Sequence, residues 1–366
     1  MKKVMFAVLI VALAFSFMLA GCGKKGPQES PTVTATETVI TGGVTGTPKG
    51  ETKMPTSLKT GLGSVISIAK SASVSEGADA LAEADIVMAA VTLDASDKIV
   101  NVKIDMLQSK ISFNTKGQLV TDINTAPKTK VELGNEYGMK KASSIGKEWF
   151  EQMAALEGWM VGKTIGEIMG MELSAGGTPA AADLTSSVTI NVTDYLRAVQ
   201  KAVNNAKDFG IAITGKTKTG FGNAVSLASS KSAANGTDAV GQTDNVMAAV
   251  TVDDKGVIVG VMIDSAQVKV TVNAQGKITT DLSAELKTKG ELGDEYGMKK
   301  ASGIGKEWYE QINELSRWII GKTIDEVMGM KTTDEGIPAE ADLTSSVTIH
   351  VNDYLNTVQK AVQNAK

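Results

Sequence analysis

Ala182-Asp-Leu-Thr-Ser-Ser-Val-Thr-Ile190 is a nine-residue stretch that the chain repeats without change at Ala341–Ile349. The second copy follows the first by 159 residues (342 − 183, aspartate to aspartate). The same offset relates Thr60-Gly-Leu-Gly63 to Thr219-Gly-Phe-Gly222. A repeat of about 150 residues has the size of a domain and is too long for a solenoid unit. The spacing therefore predicts two tandem homologous domains.

The repeat also sets the boundaries of the predicted organisation. Lys207 and Lys366, again 159 residues apart (366 − 207), close the two copies. Residues 23 to 57 are rich in Thr, Gly, Pro, Lys and Glu and have no hydrophobic period, which is typical of a disordered tether. We divide the chain into a signal peptide (1–21), a tether (22–58), a first domain (59–207), a linker (208–218) and a second domain (219–366).

The first residues have the pattern of a targeting segment. Lys2 and Lys3 precede an uncharged, largely apolar run from Val4 to Gly21, too short for a typical spanning helix. Leu19-Ala-Gly-Cys22 looks like a bacterial lipobox, in which the cysteine thiol accepts a diacylglycerol before cleavage. An uncleaved N-terminal anchor is the alternative. Both readings predict attachment to the cell membrane with the rest of the chain on its extracytoplasmic face.

The chain offers few catalytic side chains. Cys22 is its only cysteine and His350 its only histidine, which excludes disulfides, histidine-rich metal sites and a Ser-His-Asp triad. The formal net charge is −4, and removal of Lys2 and Lys3 makes it −6 (−4 − 2), with no basic block of the kind nucleic acid requires. Any redox or transfer chemistry therefore has to come from a bound cofactor.

Hydrophobic periodicity predicts strands first and helices later in each copy. Alternating apolar residues indicate strands over 87–94, 100–106 and 110–113, and a 3.6-residue period over 142–156 indicates a helix. A short helix over 164–169 and a last helix with Leu196, Val199 and Val203 on one face follow. This order predicts an α+β fold rather than a parallel α/β sheet. The Gly-x-Gly segments at 61–63 and 220–222 are expected to form glycine turns or loops that a cofactor approaches.

Asp183 to Thr189 resembles the acceptor site of the FMN-binding domain family. The family pattern runs Asp, two variable residues, two small residues, one more small residue, then Thr, and Asp342 to Thr348 repeats it. In that family a separate Mg²⁺-dependent flavin transferase takes FAD, releases AMP and leaves FMN joined to the threonine by a phosphoester. The resemblance implies that Thr189 and Thr348 each carry one covalent FMN.

The other motif residues are expected to support the acceptor. The small residues before each threonine allow a tight bend and close approach of a phosphate to the backbone. Asp183 and Asp342 are expected either to orient the acceptor or to help hold the metal of the transferase, and both roles stay open. The predicted supporting residues are Asp183, Ser186 and Ser187 in the first copy and Asp342, Ser345 and Ser346 in the second.

Two features of the motif qualify the resemblance. Ser187 and Val188 stand where glycine and alanine are frequent in the family. Clusters of Ser, Thr and Asp before an apolar helix also serve as ordinary helix N-caps, and a helix is expected to begin near 192–194. An N-terminal helix end there favours the remaining phosphate charge.

A second repeated run carries aromatic and sulfur-containing side chains. Residues 132 to 141 recur almost unchanged at 291 to 300. Their side chains could pack on the isoalloxazine ring of a flavin or belong to the core, and the sequence leaves both open. The candidates are Tyr137, Met139, Tyr296 and Met298.

Together these features resemble tandem FMN-binding domain lipoproteins. The resemblance implies an electron carrier, reduced by a membrane quinone oxidoreductase and oxidised by an extracellular flavin or iron acceptor, rather than an enzyme with its own substrate turnover. The alternative is a surface-displayed binding or scaffold lipoprotein without flavin, in which two copies supply avidity.

Overall fold

The computed structural model describes residues 57–366, apart from Ala212 and Thr214. The predicted signal peptide, Cys22 and all but the last two residues of the predicted tether lie outside the described residues. The described residues belong to one compact unit. Within them, no helix combines the length and the apolar character needed to cross a membrane.

Each copy of the repeat contains three long antiparallel strands followed by helices, so the fold class is α+β, as predicted. In the first copy the strands are β1 (Lys59–Ser67), β2 (Ala80–Leu93) and β3 (Ile99–Phe113). The helices that follow are α1 (Lys130–Leu133), α2 (Trp149–Met160), α3 (Ile165–Met169) and α4 (Thr193–Asn204). A two-residue strand, β4 (Lys207–Asp208), pairs with the start of β1 and gives the sheet order β3-β2-β1-β4.

The second copy repeats these elements in the same order. Its strands are β5 (Thr217–Ser226), β6 (Ala239–Asp253) and β7 (Ile258–Val272), which form a sheet in that order. Its helices are α5 (Lys289–Leu292), α6 (Trp308–Ile319), α7 (Ile324–Met328) and α8 (Asn352–Gln363).

Side chains alternate between the two faces of β2, which is buried on both. Ile86, Met88 and Ala90 point towards the second sheet, while Val87 and Ala89 point towards the helices of the first copy. The expected strands over 100–106 and 110–113 are one continuous strand, β3, because the intervening Leu107 is also buried in the inner core.

The helix predicted over 142–156 begins later than its apolar period suggests. Ala142 and Ile145 precede it, in a segment that turns at Gly146 with a φ of 63°. The helix begins only at Trp149, because Glu148 caps it in a capping box with Glu151. The sequence prediction was therefore wrong by about two turns at this end.

The Gly-x-Gly segments are strands rather than the expected turns. Gly61 and Gly63 lie inside β1, and a Cβ at either position would collide with the backbone of α4 at Ala202. Gly220 and Gly222 occupy the matching places in β5, beneath α8 at Ala361. The glycines are thus needed so that a helix can lie directly on the strand.

The two sheets pack face to face and share one core. This shared core contains inner-face residues of all six long strands, among them Ile86, Leu107, Phe113, Phe221 and Val268. Two further cores lie between each sheet and its own helices. The described chain is therefore built in four layers: the helices of the first copy, its sheet, the second sheet and the helices of the second copy.

A chain of buried threonine hydroxyls joins the sheets. Thr92 bonds to Thr251 at 2.7 Å and to Thr219 at 2.6 Å, and Thr251 also bonds to Thr60 at 2.7 Å. Thr92 and Thr251 occupy equivalent positions in the two copies (251 − 92 = 159). The bond between equivalent residues places them on the approximate two-fold axis that relates the copies.

Candidate functional site

The predicted acceptor motif forms a compact turn that is anchored to the helical core. The amides of Leu184 and Thr185 donate to the carbonyl of Ala181, and the amides of Ser187 and Val188 donate to that of Leu184. Leu184 and Val188 insert into the core of the first copy with exposed fractions of 2% and 1%. Val188, which departs from the family pattern, is therefore an anchor of the turn.

Thr189 follows the turn and is held by a buried glutamine of α2. Its amide donates to Oε1 of Gln152 at 2.9 Å, and its hydroxyl donates to the same oxygen at 3.4 Å. Gln152 is fully buried, and its Nε2 donates to the Ser143 hydroxyl at 3.2 Å. The glutamine is thus fixed at both ends and fixes the Thr189 backbone in turn, while the threonine side chain stays partly exposed.

The second copy reproduces this arrangement. The Thr348 amide donates to Oε1 of Gln311 at 2.8 Å, and its hydroxyl donates to that oxygen at 3.4 Å. Gln311 is also fully buried and donates to Ser302 at 3.2 Å. Leu343 and Val347 anchor the turn in the core of the second copy.

The other predicted motif residues lie on the surface of the turn. Asp183 is exposed, and its Oδ2 accepts a bond from the Trp159 indole at 2.8 Å. Asp342, Ser186 and Ser345 are also exposed. Ser187 and Ser346 are half-buried, and each hydroxyl donates to a carbonyl three residues earlier at 3.2 Å. Because Gln152 fills the position beside Thr189, the aspartates remain free to face an external partner.

A cleft of about 460 Å³ opens on the helical face of the first sheet, beside the segment that follows Thr189. Its floor consists of outward-facing strand residues, and its rim comes from α1, the loop after it and the start of α4. Asn191, two residues beyond Thr189, lies on this rim and caps α4 by accepting from the Thr193 amide at 2.9 Å. The volume falls in the usual range for cofactor sites. Residues that line it include Val87, Met106, Lys130, Tyr137, Asp194 and Tyr195.

Lys130 brings a positive charge to the aromatic wall of the cleft. Its Nζ lies 4.7 Å from the Tyr137 ring centre and 5.4 Å from that of Trp149. Burial is the main cause that lowers the pKa of Lys130 to about 8. Burial likewise raises the pKa of Tyr195 to about 12, so its hydroxyl stays protonated while it accepts from the Trp149 indole at 3.0 Å.

The structure separates the two residues of the first repeated aromatic run. Tyr137 is half-buried and lines the cleft, whereas Met139 packs against the core of the first copy. The Met139 amide donates to the buried carboxylate of Glu148 at 2.8 Å. In the second copy, Tyr296 and Met298 likewise pack against their own core.

The equivalent region of the second copy keeps some of these residues and changes others. Lys289 lies 5.0 Å from the Tyr296 ring centre. Ser229, Ser265 and His350 stand where the first copy has a lysine, a methionine and an asparagine. The aromatic and cationic parts are therefore common to both copies, while the rest of the lining differs.

Sequence reasoning missed Gln152, Lys130 and Glu148. Each offered a signal, because each recurs 159 residues later as Gln311, Lys289 or Glu307. Gln152 in particular is a polar residue on the apolar face of α2, next to Met153. Within residues 57–366, the acidic side chains and His350 form no group that could hold a metal ion.

Comparison with known proteins adds little to this geometry. No family model and no solved structure matches the chain. Over 40 residues the chain is 52% identical to a chlorophenol reductase of Desulfitobacterium hafniense. The match covers 11% of this chain and 12% of that protein, so it shows neither a shared family nor a shared fold.

Proposed function

We propose that the protein is a membrane-anchored, extracytoplasmic electron carrier with two FMN-binding domains, 59–207 and 219–366. Each domain carries one FMN, joined by a phosphoester to Thr189 or Thr348. Cys22 bears the lipid anchor. A Mg²⁺-dependent flavin transferase installs the flavins, a membrane quinone oxidoreductase reduces them, and an extracellular flavin or iron acceptor oxidises them.

One observation carries this proposal: both predicted acceptor threonines are held in the same way. Each is partly exposed at the end of an anchored turn, with its amide and hydroxyl on a buried glutamine. An ordinary helix cap would need no such support, since α4 is capped by Asn191 instead of Thr189. An accessible hydroxyl on a rigid support suits an acceptor that a separate enzyme must reach.

The residues around the first acceptor fit a flavin. The cleft beside Thr189 supplies Tyr137 and Tyr195 as aromatic surfaces and Lys130 as a cation. A bound flavin supplies the redox chemistry that these side chains lack. The role of the chain is to hold the phosphate near the start of α4, shield the ring and tune its potential through Lys130.

Flavin content after denaturation tests the proposal. Protein made together with an active flavin transferase should keep about two flavins per chain through acid precipitation. Thr189→Val and Thr348→Val should each remove one flavin, and the double variant should remove both. Thr185→Val, at an exposed threonine of the same turn, is the matched control and should keep two. Colourless wild-type protein would support the scaffold alternative.

A further inference from the structure

The four-layer arrangement has a consequence for the two acceptor sites. The turn before Thr189 is anchored in the helical core of the first copy, and the turn before Thr348 in that of the second. These cores lie on the outer faces of the two sheets, with the shared core between them. The acceptors therefore lie on opposite outer faces of one body.

The first cleft confirms which way its site faces. Its floor includes Val65, Val87 and Met106, and all three belong to the outer core of the first copy. Their neighbours in sequence, such as Ile86 and Leu107, belong to the shared core. Because side chains alternate along a strand, the cleft is separated from the second copy by the whole first sheet.

The approximate two-fold axis places the second site at the same height on the other face. Thr92 meets its equivalent Thr251 near one end of the sheets. Ala82 lies against its equivalent Gly241 towards the other end. The axis therefore runs along the strands, and it turns an outward-facing site of the first copy into an outward-facing site of the second.

The shared core also offers no aromatic stepping stones of the easily oxidised kind. Within the described residues, its aromatic members are Phe113 and Phe221, and the others are aliphatic side chains and methionines. All four tryptophans and five tyrosines of the chain lie outside this core. An electron that crosses between the sites has to pass through two sheets of saturated side chains.

The two copies are also held against rotation. Lys201 of α4 pairs with Glu291 of α5 at 2.6 Å, and Lys360 of α8 pairs with Glu132 of α1. These ion pairs clasp the two edges of the sheet pair, while the threonine hydroxyls join its centre. The sites are thus kept apart by a rigid core rather than by a hinge.

We propose that the two flavin sites are electronically separate within one chain, and that electrons pass between sites only when two molecules meet. The inference rests on the proposed function. In each encounter, one electron leaves a one-electron-reduced flavin on one molecule and enters the same species on another. One flavin becomes oxidised and the other fully reduced, which takes up the protons, so no further reactant is needed. A single molecule serves as two carriers mounted back to back.

Spin labels test the geometry without any flavin. In the full chain with Cys22→Ser, nitroxides at Thr189→Cys and Thr348→Cys should give one narrow distance distribution beyond about 20 Å. This value corresponds to two layer separations of roughly 10 Å each. A distribution centred below about 15 Å, or a broad one, would overturn the proposal.

Electron exchange is tested on the wild-type flavoprotein. Hydrated electrons from pulse radiolysis add one electron to each flavin, and the radical absorbance then decays as the flavins exchange electrons. The decay rate should rise tenfold when the protein concentration rises tenfold, as in the single-flavin variant Thr348→Val. A rate independent of concentration, seen only in the wild type, would overturn the proposal while leaving the two flavins established. Absence of flavin would defeat the proposed function, and the spin-label distance would still decide the geometry.

Discussion

The Oε1 atom of Gln152 lies where the acceptor turn meets helix α2, and it accepts bonds from both the amide and the hydroxyl of Thr189. A carboxamide can do this without introducing a charge into a fully buried position. Gln311 performs the same role for Thr348. At the scale of single residues, the account therefore assigns the support of each acceptor to one glutamine.

Replacing Gln152 should lower modification at Thr189 and leave Thr348 unaffected. In Gln152→Leu the Thr189 amide loses its partner, so the turn loses its fixed geometry, and flavin at Thr189 should fall about tenfold, the effect of roughly 1.4 kcal/mol. Peptide mass spectrometry measures the occupancy of each site. Gln152→Glu keeps an oxygen acceptor and should restore most of the loss, whereas equal losses at both threonines would contradict the assignment.

Two buried aspartates should make the protein less stable as the pH rises. Burial raises the pKa of Asp105 to about 7 and that of Asp264 to about 6. The folded state therefore binds more protons than the unfolded state between about pH 4 and 7. This contribution to stability is complete below pH 4 and is lost as the pH approaches 7, by up to about 4 kcal/mol for Asp105.

Urea unfolding at several pH values measures this loss. Asp105→Asn should flatten the decline, because the amide oxygen can still accept from the amides of Met106 and Val131. Asp194→Asn, at an exposed position on α4, is the control and should leave the slope unchanged. A wild-type stability that rises steadily from pH 4 to 7 would contradict the prediction.

Single residues were predictable only where the repeat marked a motif. The acceptor positions Thr189 and Thr348 follow from the duplicated pattern, and the structure places them alike. Gln152 and Lys130 were missed because a buried polar residue is recognised by its partners, which are distant in sequence. Asp105 was missed for the same reason, since the amide of Val131 that it binds is 26 residues away.

At the scale of elements, the contact between α4 and β1 depends on two missing side chains. Gly61 and Gly63 let the helix backbone lie directly on the strand. Periodicity predicted the helix but took the glycines for a turn, because a Gly-x-Gly sequence has the same composition in both settings. Which one forms is decided by the helix that packs above it, 140 residues later in the chain (202 − 62).

A methyl group at Gly61 should push α4 away from the sheet. Gly61→Ala should destabilise the protein by about 1–3 kcal/mol, the usual cost of an overpacked core. Gly158→Ala is the matched control, since Gly158 lies in α2 with open space around its Cβ position, and it should stabilise by up to about 1 kcal/mol. Urea midpoints measure both changes. Equal effects of the two variants would argue against direct helix–strand contact.

For the whole molecule, the main finding is that the two copies share a core. The repeat predicted two units and their α+β class, but nothing in the periodicity of either copy indicates that their sheets face each other. Both faces of β2 read as apolar, and a buried strand can be covered by helices or by another sheet. The second cover is recognisable only once Thr60 is seen against Gly260 of the other copy.

A change at this contact should weaken both copies together. A side chain at Gly260 would collide with Thr60, so Gly260→Val should separate the sheets and cost about 1–3 kcal/mol or more. Calorimetry of the wild type should show one transition, and the variant one transition at lower temperature. Gly236→Val, where nothing surrounds the Cβ position, controls for the substitution itself. Two separate transitions, with only one of them shifted, would contradict a shared core.

The central claim is that Thr189 and Thr348 each carry a phosphoester-linked FMN. The most direct measurement is the mass spectrum of the protein isolated from its own host, first intact and then as peptides that span the two turns. We predict a mass increase equal to two FMN groups less two water molecules, with one group on each threonine. Unmodified peptides at both positions, from cells whose flavin transferase is active, would contradict the account.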